Sequence, residues 1–450
     1  MKIYISTMGC PKNIVDSENL AGLLAKSGHT IVDTPEAADW MIVNTCGFIG
    51  DAKEESIARI FELAALKGTP GKGRAKRLLV SGCLSERYLK ELYKEMPEVD
   101  VFTGVNDYDV IPELIATFEK DHERVAVSCE PEAEYPEFGP RLRTKEAPWT
   151  AYLKIAEGCD NVCTYCIIPK IRGPYRSRKQ EAILREARKL AAEGVKELVL
   201  VAQDVTCYGF DFDGKYHLAE LLRELCKIDG IVWIRLLYCY EDRITDELID
   251  TIKDEPKICK YIDIPLQHAS TKILKAMKRR STFTSTERTL KKLRRKIPGI
   301  VVRTTLITGF PGETKEDFKI LYDFVASEKF GRLGVFPYSK EEGTEAATMP
   351  NQIRKDVKER RRDRIMELQR TISLDNNLDL VNQILPVLIE EEDGFADGVY
   401  TYLGRSEFDA PEIDNAVIVT SDKPLAPGTF VDVRILDAYD YDLLGKAVSE

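Results

Sequence analysis

The sequence predicts a multidomain α/β protein. It comprises an N-terminal α/β parallel-sheet domain (residues 1–130), a linker (131–148), a central partial (β/α)6 barrel (149–375) and a small C-terminal antiparallel β-barrel (380–450). Three observations carry this prediction. A chain of 450 residues with 44 % apolar content exceeds one hydrophobic core and fills several. Strand and helix patterns alternate through two long stretches, as a parallel sheet with covering helices requires. After residue 380 the helical period stops and short strands follow one another, the pattern of a small barrel.

In the first stretch, KIYIST (2–7), WMIVNTC (40–46) and KRLLVSGC (76–83) read as strands. VDSENLAGLLAKSG (15–28) and AKEESIARIFELAALKG (52–68) read as amphipathic helices. The linker carries Pro131, Pro136, Pro140 and Pro148 among charged residues and has no apolar period. In the second stretch the strands are YLKIA (152–156), ELVLVA (197–202), VWIRLL (232–237), YIDIPL (261–266), VVRTTLITG (301–309) and RLGVFPY (332–338). Helices such as QEAILREARKLAAEG (180–194) lie between them. Six βα units suit a complete or partial barrel, and a doubly wound open sheet has the same periodicity. A charged helix over 351–374 leads out of this domain. LPVLIEEE (385–392), GVYTYLG (398–404), NAVIVTS (415–421) and TFVDVRILDAYDYDLLGKAV (429–448) then build the terminal barrel. The basic stretch 272–296 reads as a helix pair with a solvated outer face.

Composition removes several classes. No run nears 18 apolar residues, so no membrane span is expected. The start, MKIYISTMGCPKN, reads as a strand and loop rather than a secretory signal. With 65 basic against 75 acidic residues the net charge is −10, opposite to the balance of a nucleic-acid binder. Eleven cysteines, an odd number, fit a reducing cytoplasm better than a disulfide framework.

The cysteines carry the chemistry. In EGCDNVCTYCIIP, Cys159, Cys163 and Cys166 form C-x3-C-x2-C just after the first strand of the second stretch, where such barrels build sites. No histidine is near; the chain has only His29, His122, His217 and His268. Three thiolates suit a 4Fe-4S cluster that keeps one iron open to a small molecule. A zinc ion completed by a distant ligand, or three packed thiols, stays open. Cys10, Cys46 and Cys83 each end one strand of the first sheet, at intervals of 36 and 37 residues. The crevice outside such strand ends is where parallel sheets place ligands, and Gly9, Gly47 and Gly82 let a bulky group approach. A second three-cysteine cluster follows, with chance placement as the alternative. Cys129, Cys207, Cys226, Cys239 and Cys259 lack ligand spacing and read as packed thiols.

Seven segments together resemble the radical S-adenosylmethionine methylthiotransferases over nearly the whole chain. They are GCPKNIVDSE (9–18), NTCGFI (44–49), SGCL (81–84), YLKIAEGCDNVCTYCIIP (152–169), RGPYRSR (172–178), IPLQHAS (264–270) and RTTLITGFPGET (303–314). The terminal barrel resembles a TRAM domain. The GCPKN and RTTLITGFPGET forms resemble the branch that modifies a ribosomal protein. The tRNA-modifying branch usually has Gln-Met-Asn after its first cysteine. The resemblance implies a transferase with two 4Fe-4S clusters and S-adenosyl-L-methionine. The cluster on Cys159, Cys163 and Cys166 binds S-adenosyl-L-methionine and, given one electron, yields a 5′-deoxyadenosyl radical. That radical takes hydrogen from the β-carbon of an aspartate in small-subunit ribosomal protein S-twelve. The cluster on Cys10, Cys46 and Cys83 supplies a sulfur that a first S-adenosyl-L-methionine has methylated.

Other residues follow from the same resemblance and from their strand-end positions. Tyr165 resembles the aromatic that stacks near the adenine, with plain packing as the alternative. Gln203, Gln267, Gly309 and Glu313, with Asp204 and His268, are candidates for contact with S-adenosyl-L-methionine. Arg303, within the fifth strand, meets either the cofactor carboxylate or a structural partner. GFPGE lacks the Lys-Ser/Thr ending of a phosphate loop.

Residues 381–450 hold fifteen acidic and four basic side chains, so the terminal barrel carries the whole negative excess. Such a surface repels RNA phosphate and attracts a basic ribosomal protein, unless it serves only solubility. The implied partners are that protein of the small subunit, an electron donor of flavodoxin or ferredoxin type and a sulfur source, all in the cytoplasm. Direct RNA contact stays open. The competing readings are a tRNA adenosine methylthiotransferase and a non-catalytic iron–sulfur or zinc protein. The latter leaves two trios, each short of a fourth ligand, without a reason.

Overall fold

The computed structural model describes residues 1–68, 76–131, 134–137, 139, 141–143 and 148–448. Its first sheet contains β1 (Lys2–Thr7), β2 (Thr30–Ile31), β3 (Trp40–Thr45), β4 (Arg77–Gly82), β5 (Val101–Thr103) and β6 (Val125–Val127). All pairs are parallel and the spatial order is β2-β1-β3-β4-β5-β6. β3 is buried along its whole length, which is why it reads as an unbroken apolar run. The order reverses between β1 and β3, so their carboxyl ends open a crevice at a topological switch point. The sequence reading lacks β2, β5 and β6, since two or three residues are too few to show a period. Two helices also differ from it. The helix read over 15–28 spans Pro11–Lys26, because Pro11 suits a first helical turn and makes Cys10 the N-cap. β4 runs directly into a further helix, Cys83–Glu95.

The second sheet begins with β7 (Thr150–Lys154), followed by a short antiparallel pair, β8 (Ala156–Glu157) and β9 (Arg176–Ser177). β10 (Glu197–Val201), β11 (Trp233–Leu236), β12 (Ile258–Gln267), β13 (Val301–Thr308) and β14 (Arg332–Pro337) complete it. The six long strands pair in parallel in chain order, β7-β10-β11-β12-β13-β14. Without a reversal the sheet is a singly wound partial barrel, which excludes the doubly wound alternative. Helix Pro11–Lys26 packs on the β7 edge and helix Lys355–Leu378 on the β14 edge. The basic stretch is the expected helix pair, Thr271–Ala276 and Phe283–Lys296.

The terminal barrel is closed, in the order β15 (Ile384–Ala396), β16 (Val399–Ser406), β17 (Val417–Ser421), then β19 (Leu443–Ala447) and β18 (Phe430–Ala438). It departs from expectation twice. The stretch 429–448 is two strands, turned where the Tyr439 N–H meets the Asp442 carbonyl at 2.8 Å. The closing β17–β19 pair is parallel, so the barrel is not wholly antiparallel.

This barrel docks near the amino ends of the central strands, through ion pairs around a small apolar patch that includes Leu388 and Ala410. Glu197, 0 % exposed at the start of β10, accepts from Arg235 at 2.8 Å and from Arg405 at 2.6 Å. Arg332 meets Asp409 at 2.5 Å, and Trp233 meets Phe430 edge-on with centroids 4.6 Å apart. The segment read as a linker has an anchor of the same kind: buried Arg141 donates to Glu18 at 2.6 Å and Glu186 at 2.7 Å. Pro140 in that segment lies outside the described residues.

Burial opposes the Glu197 charge, but Arg405 and Arg235 outweigh it and hold the carboxyl down at about 2. Glu197→Ala strands two buried guanidiniums and is expected to cost about 3–5 kcal/mol in denaturant unfolding. The depressed pKa sets the sign with pH. The margin over the variant is full above the ordinary glutamate value of roughly 4.3 and closes as pH falls toward about 2.

Candidate active site

The first thiol trio sits at three strand-to-helix turns. Cys10 follows β1 and caps helix Pro11–Lys26, Cys46 directly follows β3, and Cys83 follows β4 as the first residue of helix Cys83–Glu95. Cys10 and Cys46 therefore flank the switch-point crevice. Two of the three thiols lie at helix amino ends, where partial positive charge favours an anionic group. The turns admit no larger residues. At Gly82, φ is +94°, and a Cβ there would lie 2.4 Å from Asn44 Oδ1 and 2.6 Å from the Thr45 carbonyl. At Gly9, φ is +89°, and a Cβ would lie 2.9 Å from Cys46 Sγ. Asn13 ties the turns together by donating to the Met8 carbonyl at 2.8 Å and the Thr45 carbonyl at 3.0 Å. Burial raises the Cys46 thiol to about 12 and also raises Cys83. At Cys10 burial is outweighed by Lys12 and Arg172, which lower it.

The second trio follows β7 and β8. The Cys159 N–H donates to the Gly173 carbonyl at 3.1 Å and the Cys166 N–H to the Cys163 carbonyl at 3.1 Å, so the loop is wrapped by its own backbone. Asn161 reaches Cys159 Sγ at 3.4 Å and accepts from Arg243 at 2.9 Å, while Arg243 pairs with buried Asp204. The loop lines a cavity of about 700 Å³ together with Lys170, Gly173, Thr344 and Thr348.

One buried ionic seam joins the two trios. Lys154, at the end of β7, pairs with Asp16 and, at 2.7 Å, with Glu157. Arg172 closes the helix that follows the cysteine loop, and meets Glu157 at 2.8 Å, Asp16 at 3.1 Å and Asn13 at 2.6 Å. The same guanidinium donates to Cys83 Sγ at 3.4 Å. Burial alone would raise Glu157, yet Arg172 and Lys154 hold it far below the carboxylate range. Cys83, Val105, Ile167 and Ile171 pack as an apolar cluster beside this seam.

The expected site residues divide by their partners. Gln203 donates to Glu157 at 2.7 Å, while its buried Oε1 has no hydrogen-bond partner among the described residues. Tyr165 packs against a buried cluster of Ile273, Met277, Phe310, Tyr338 and Ala346. Gln267 ends β12 half-buried, with φ +69°. Glu313 is spoken for inside the chain: it accepts from the Gly309 N–H at 2.7 Å and from Arg361 at 2.6 Å. Arg303 lies between Asp263 at 2.9 Å and Asp414 at 3.2 Å, partners that a cofactor carboxylate would have to displace. Cys129, read as packed, is exposed, whereas Cys207, Cys226, Cys239 and Cys259 are buried. Sequence reasoning missed Asp16, Lys154, Glu157 and Arg172. Lys154 and Glu157 stand as charges inside and beside an apolar strand in YLKIAEGC, but nothing in the sequence marks their pairing with Asp16 and Arg172, which lie on helices.

The donor sets fit iron–sulfur clusters. Each offers three thiols on turns too tight for a Cβ or wrapped by backbone. Among the described residues no three His, Cys, Asp or Glu side chains are grouped closely enough to hold a single metal ion. A cubane takes each thiolate at a separate corner.

Comparison with known proteins settles the family. Residues 153–325 match the Radical SAM superfamily, residues 2–104 match Uncharacterized protein family UPF0004 and residues 381–448 match the TRAM domain. The chain is 51 % identical over 447 residues to ribosomal protein uS12 methylthiotransferase RimO of Desulforamulus reducens, covering 99 % of each. The protein of the same name from Caldanaerobacter subterraneus subsp. tengcongensis is 51 % identical over 444 residues. The chain belongs to the RimO family. Its fold is also that of the radical S-adenosylmethionine methyltransferase TsrM of Kitasatospora setae, with TM-score 0.58 at 14 % identity over 89 % of this chain and 80 % of that one. No helix among the described residues is long and apolar enough to cross a membrane.

The Gly82 turn makes a direct prediction. Gly82→Ala meets backbone and a buried amide and is expected to lower the melting temperature by several degrees, on the order of 2–3 kcal/mol. Gly28→Ala, at φ +84° with nothing within 4 Å, is expected to cost only about 1 kcal/mol. Calorimetry on the two variants compares them.

Proposed function

We propose that this chain is a methylthiotransferase acting on the β-carbon of an aspartate in small-subunit ribosomal protein uS12. The observation that carries the reading is the pairing of two three-thiol turns across one buried seam, in a chain half identical to RimO proteins along its whole length. Cys159, Cys163 and Cys166 hold one 4Fe-4S cluster in this reading, and Cys10, Cys46 and Cys83 the other. When bound, the clusters and S-adenosyl-L-methionine supply the radical that removes hydrogen and the methylthio sulfur that replaces it.

The chain's own residues position the reactants and exclude water. The Gln203 Oε1, without a partner among the described residues, is an acceptor suited to the amino group of S-adenosyl-L-methionine, and Glu157 fixes its orientation by accepting from Nε2. Tyr165 offers the adenine a ring backed by an apolar cluster. Gln267 borders the same rim from β12. Glu313 and Gly309 brace the end of β13 against helix Lys355–Leu378, and Arg303 braces β13 against β12 and Asp414. These three act on the site through its walls.

Recognition of uS12 falls to the acidic terminal barrel. Glu391, Glu392, Asp393 and Asp397 are exposed on the β15–β16 hairpin, around Phe395, which is 58 % exposed and lies 4.4 Å from the Tyr400 ring centroid. Such a face suits a basic protein and repels nucleic acid. An electron donor of flavodoxin or ferredoxin type and a sulfur source complete the reaction.

Three measurements test the reading. Anaerobically reconstituted protein is expected to hold about eight iron per chain, and the Cys10, Cys46 and Cys83 triple alanine variant about four. Reduced with S-adenosyl-L-methionine, the intact chain is expected to add one methylthio group to uS12. A mass gain on tRNA alone would overturn this. Neutralising Glu391, Glu392, Asp393 and Asp397 together is expected to slow association with uS12 about tenfold at low salt and to flatten its salt dependence. Stopped-flow fluorescence reads both.

A further inference from the structure

Lys12 is placed against every local preference for a lysine. Its side chain is buried, with the residue 7 % exposed. It is the second residue of helix Pro11–Lys26, where the helix dipole already presents positive charge. Among the described residues no carboxylate forms an ion pair with it, and the acidic group it acts on is the Cys10 thiol, which it shares with Arg172. Its Nζ lies 3.3 Å from the centroid of the Tyr238 ring and 3.5 Å from the Ala202 carbonyl. Those two groups belong to the carboxyl-end rim of β10 and β11, so the ammonium of the Cys10 turn reaches across to the barrel mouth. Tyr238 is itself held at φ +61°, with its N–H donating to Asp263 at 2.9 Å. The ring face offsets part of the desolvation. Burying an ammonium costs more than one such contact returns. The neighbouring lysine of the seam, Lys154, has two carboxylates, so the fold can neutralise a buried lysine where it needs to. A rule broken beside the reacting groups marks a place where a ligand completes the charge.

We infer that Lys12 is the binding residue for the side-chain carboxylate of the substrate aspartate. The inference rests on the reading above, that the substrate is a protein aspartate. In aspartate the carboxylate is bonded directly to the carbon that reacts. A cation gripping it therefore holds the reacting carbon one bond away from the gripped group, beside the Cys10 turn. An amide in its place leaves the ammonium buried and unpaired, and is rejected.

The experiment measures binding of two synthetic peptides to the reconstituted holoenzyme. Both span the modified segment of uS12, one with aspartate and one with asparagine at the target. Wild type is expected to prefer the aspartate peptide by about thirtyfold, the usual scale for a buried charge pair. Lys12→Met is expected to bring the two within about threefold, and Lys12→Arg to retain most of the preference. Iron content confirms that each variant carries both clusters. If Lys12→Met does not load, Lys12→Arg decides: preference kept supports the inference, and preference lost with both clusters intact overturns it. An undiminished preference in Lys12→Met also overturns it. If S-adenosyl-L-methionine binding weakens instead, the lysine serves the cofactor carboxylate; if only the potential of the nearby cluster shifts, it serves that cluster. Wild type binding both peptides equally refutes the inference alone. Wild type binding neither removes the proposed substrate and the inference with it.

Discussion

The architecture hinges on four buried charges. Asp16 comes from the first helix, Lys154 and Glu157 from the strand end that enters the cysteine loop, and Arg172 from the helix that leaves it. Two positive and two negative groups neutralise one another in a region where any one alone would be ruinous. Because each sheet contributes part of the set, neither the first sheet nor the barrel can satisfy its charges alone. The seam therefore fixes how the two thiol trios lie relative to each other. Arg172 links the two directly, since it touches Cys83 Sγ and belongs to the segment that carries Cys159, Cys163 and Cys166.

Much of this was legible in the chain. The long strands announce themselves as apolar runs; Cys10, Cys46 and Cys83 follow the ends of theirs, and Cys159, Cys163 and Cys166 lie on the loop after the first barrel strand, as those runs foretold. The chain order of strands in the barrel was not legible, since periodicity is identical in singly and doubly wound sheets; only hydrogen-bonded pairing separates them. Strands of two or three residues have no period to read. Ion pairs have none either, so the anchoring of Arg141, the plug around Glu197 and the seam itself left no pattern. For the same reason Glu313 and Arg303, singled out by position on strand ends and within a strand, proved to be engaged by Arg361 and by Asp263 and Asp414.

A second division runs across the barrel. Its carboxyl-end rim gathers the thiols, the orphaned Gln203 carbonyl and the Lys12 ammonium, groups left short of partners. Its opposite side is held by ion pairs: Glu197 has two guanidiniums, and Asp409 and Asp414 have one each. Stability is concentrated on one side and reactivity on the other. The terminal barrel is thereby fixed rigidly to the stable side, and its acidic hairpin is displayed on a module that need not move for chemistry to proceed.

An open sheet of six strands has two raw edges, and each is a template for pairing with a stray chain. Here β7 is covered by helix Pro11–Lys26 and β14 by helix Lys355–Leu378. The first cover lies upstream of the edge it shields and the second follows its edge almost at once. During synthesis from the amino end, β7 thus emerges to find its shield already made, and β14 waits only some tens of residues for its own. The order of segments along the chain works as a schedule that keeps either edge from standing bare on the ribosome.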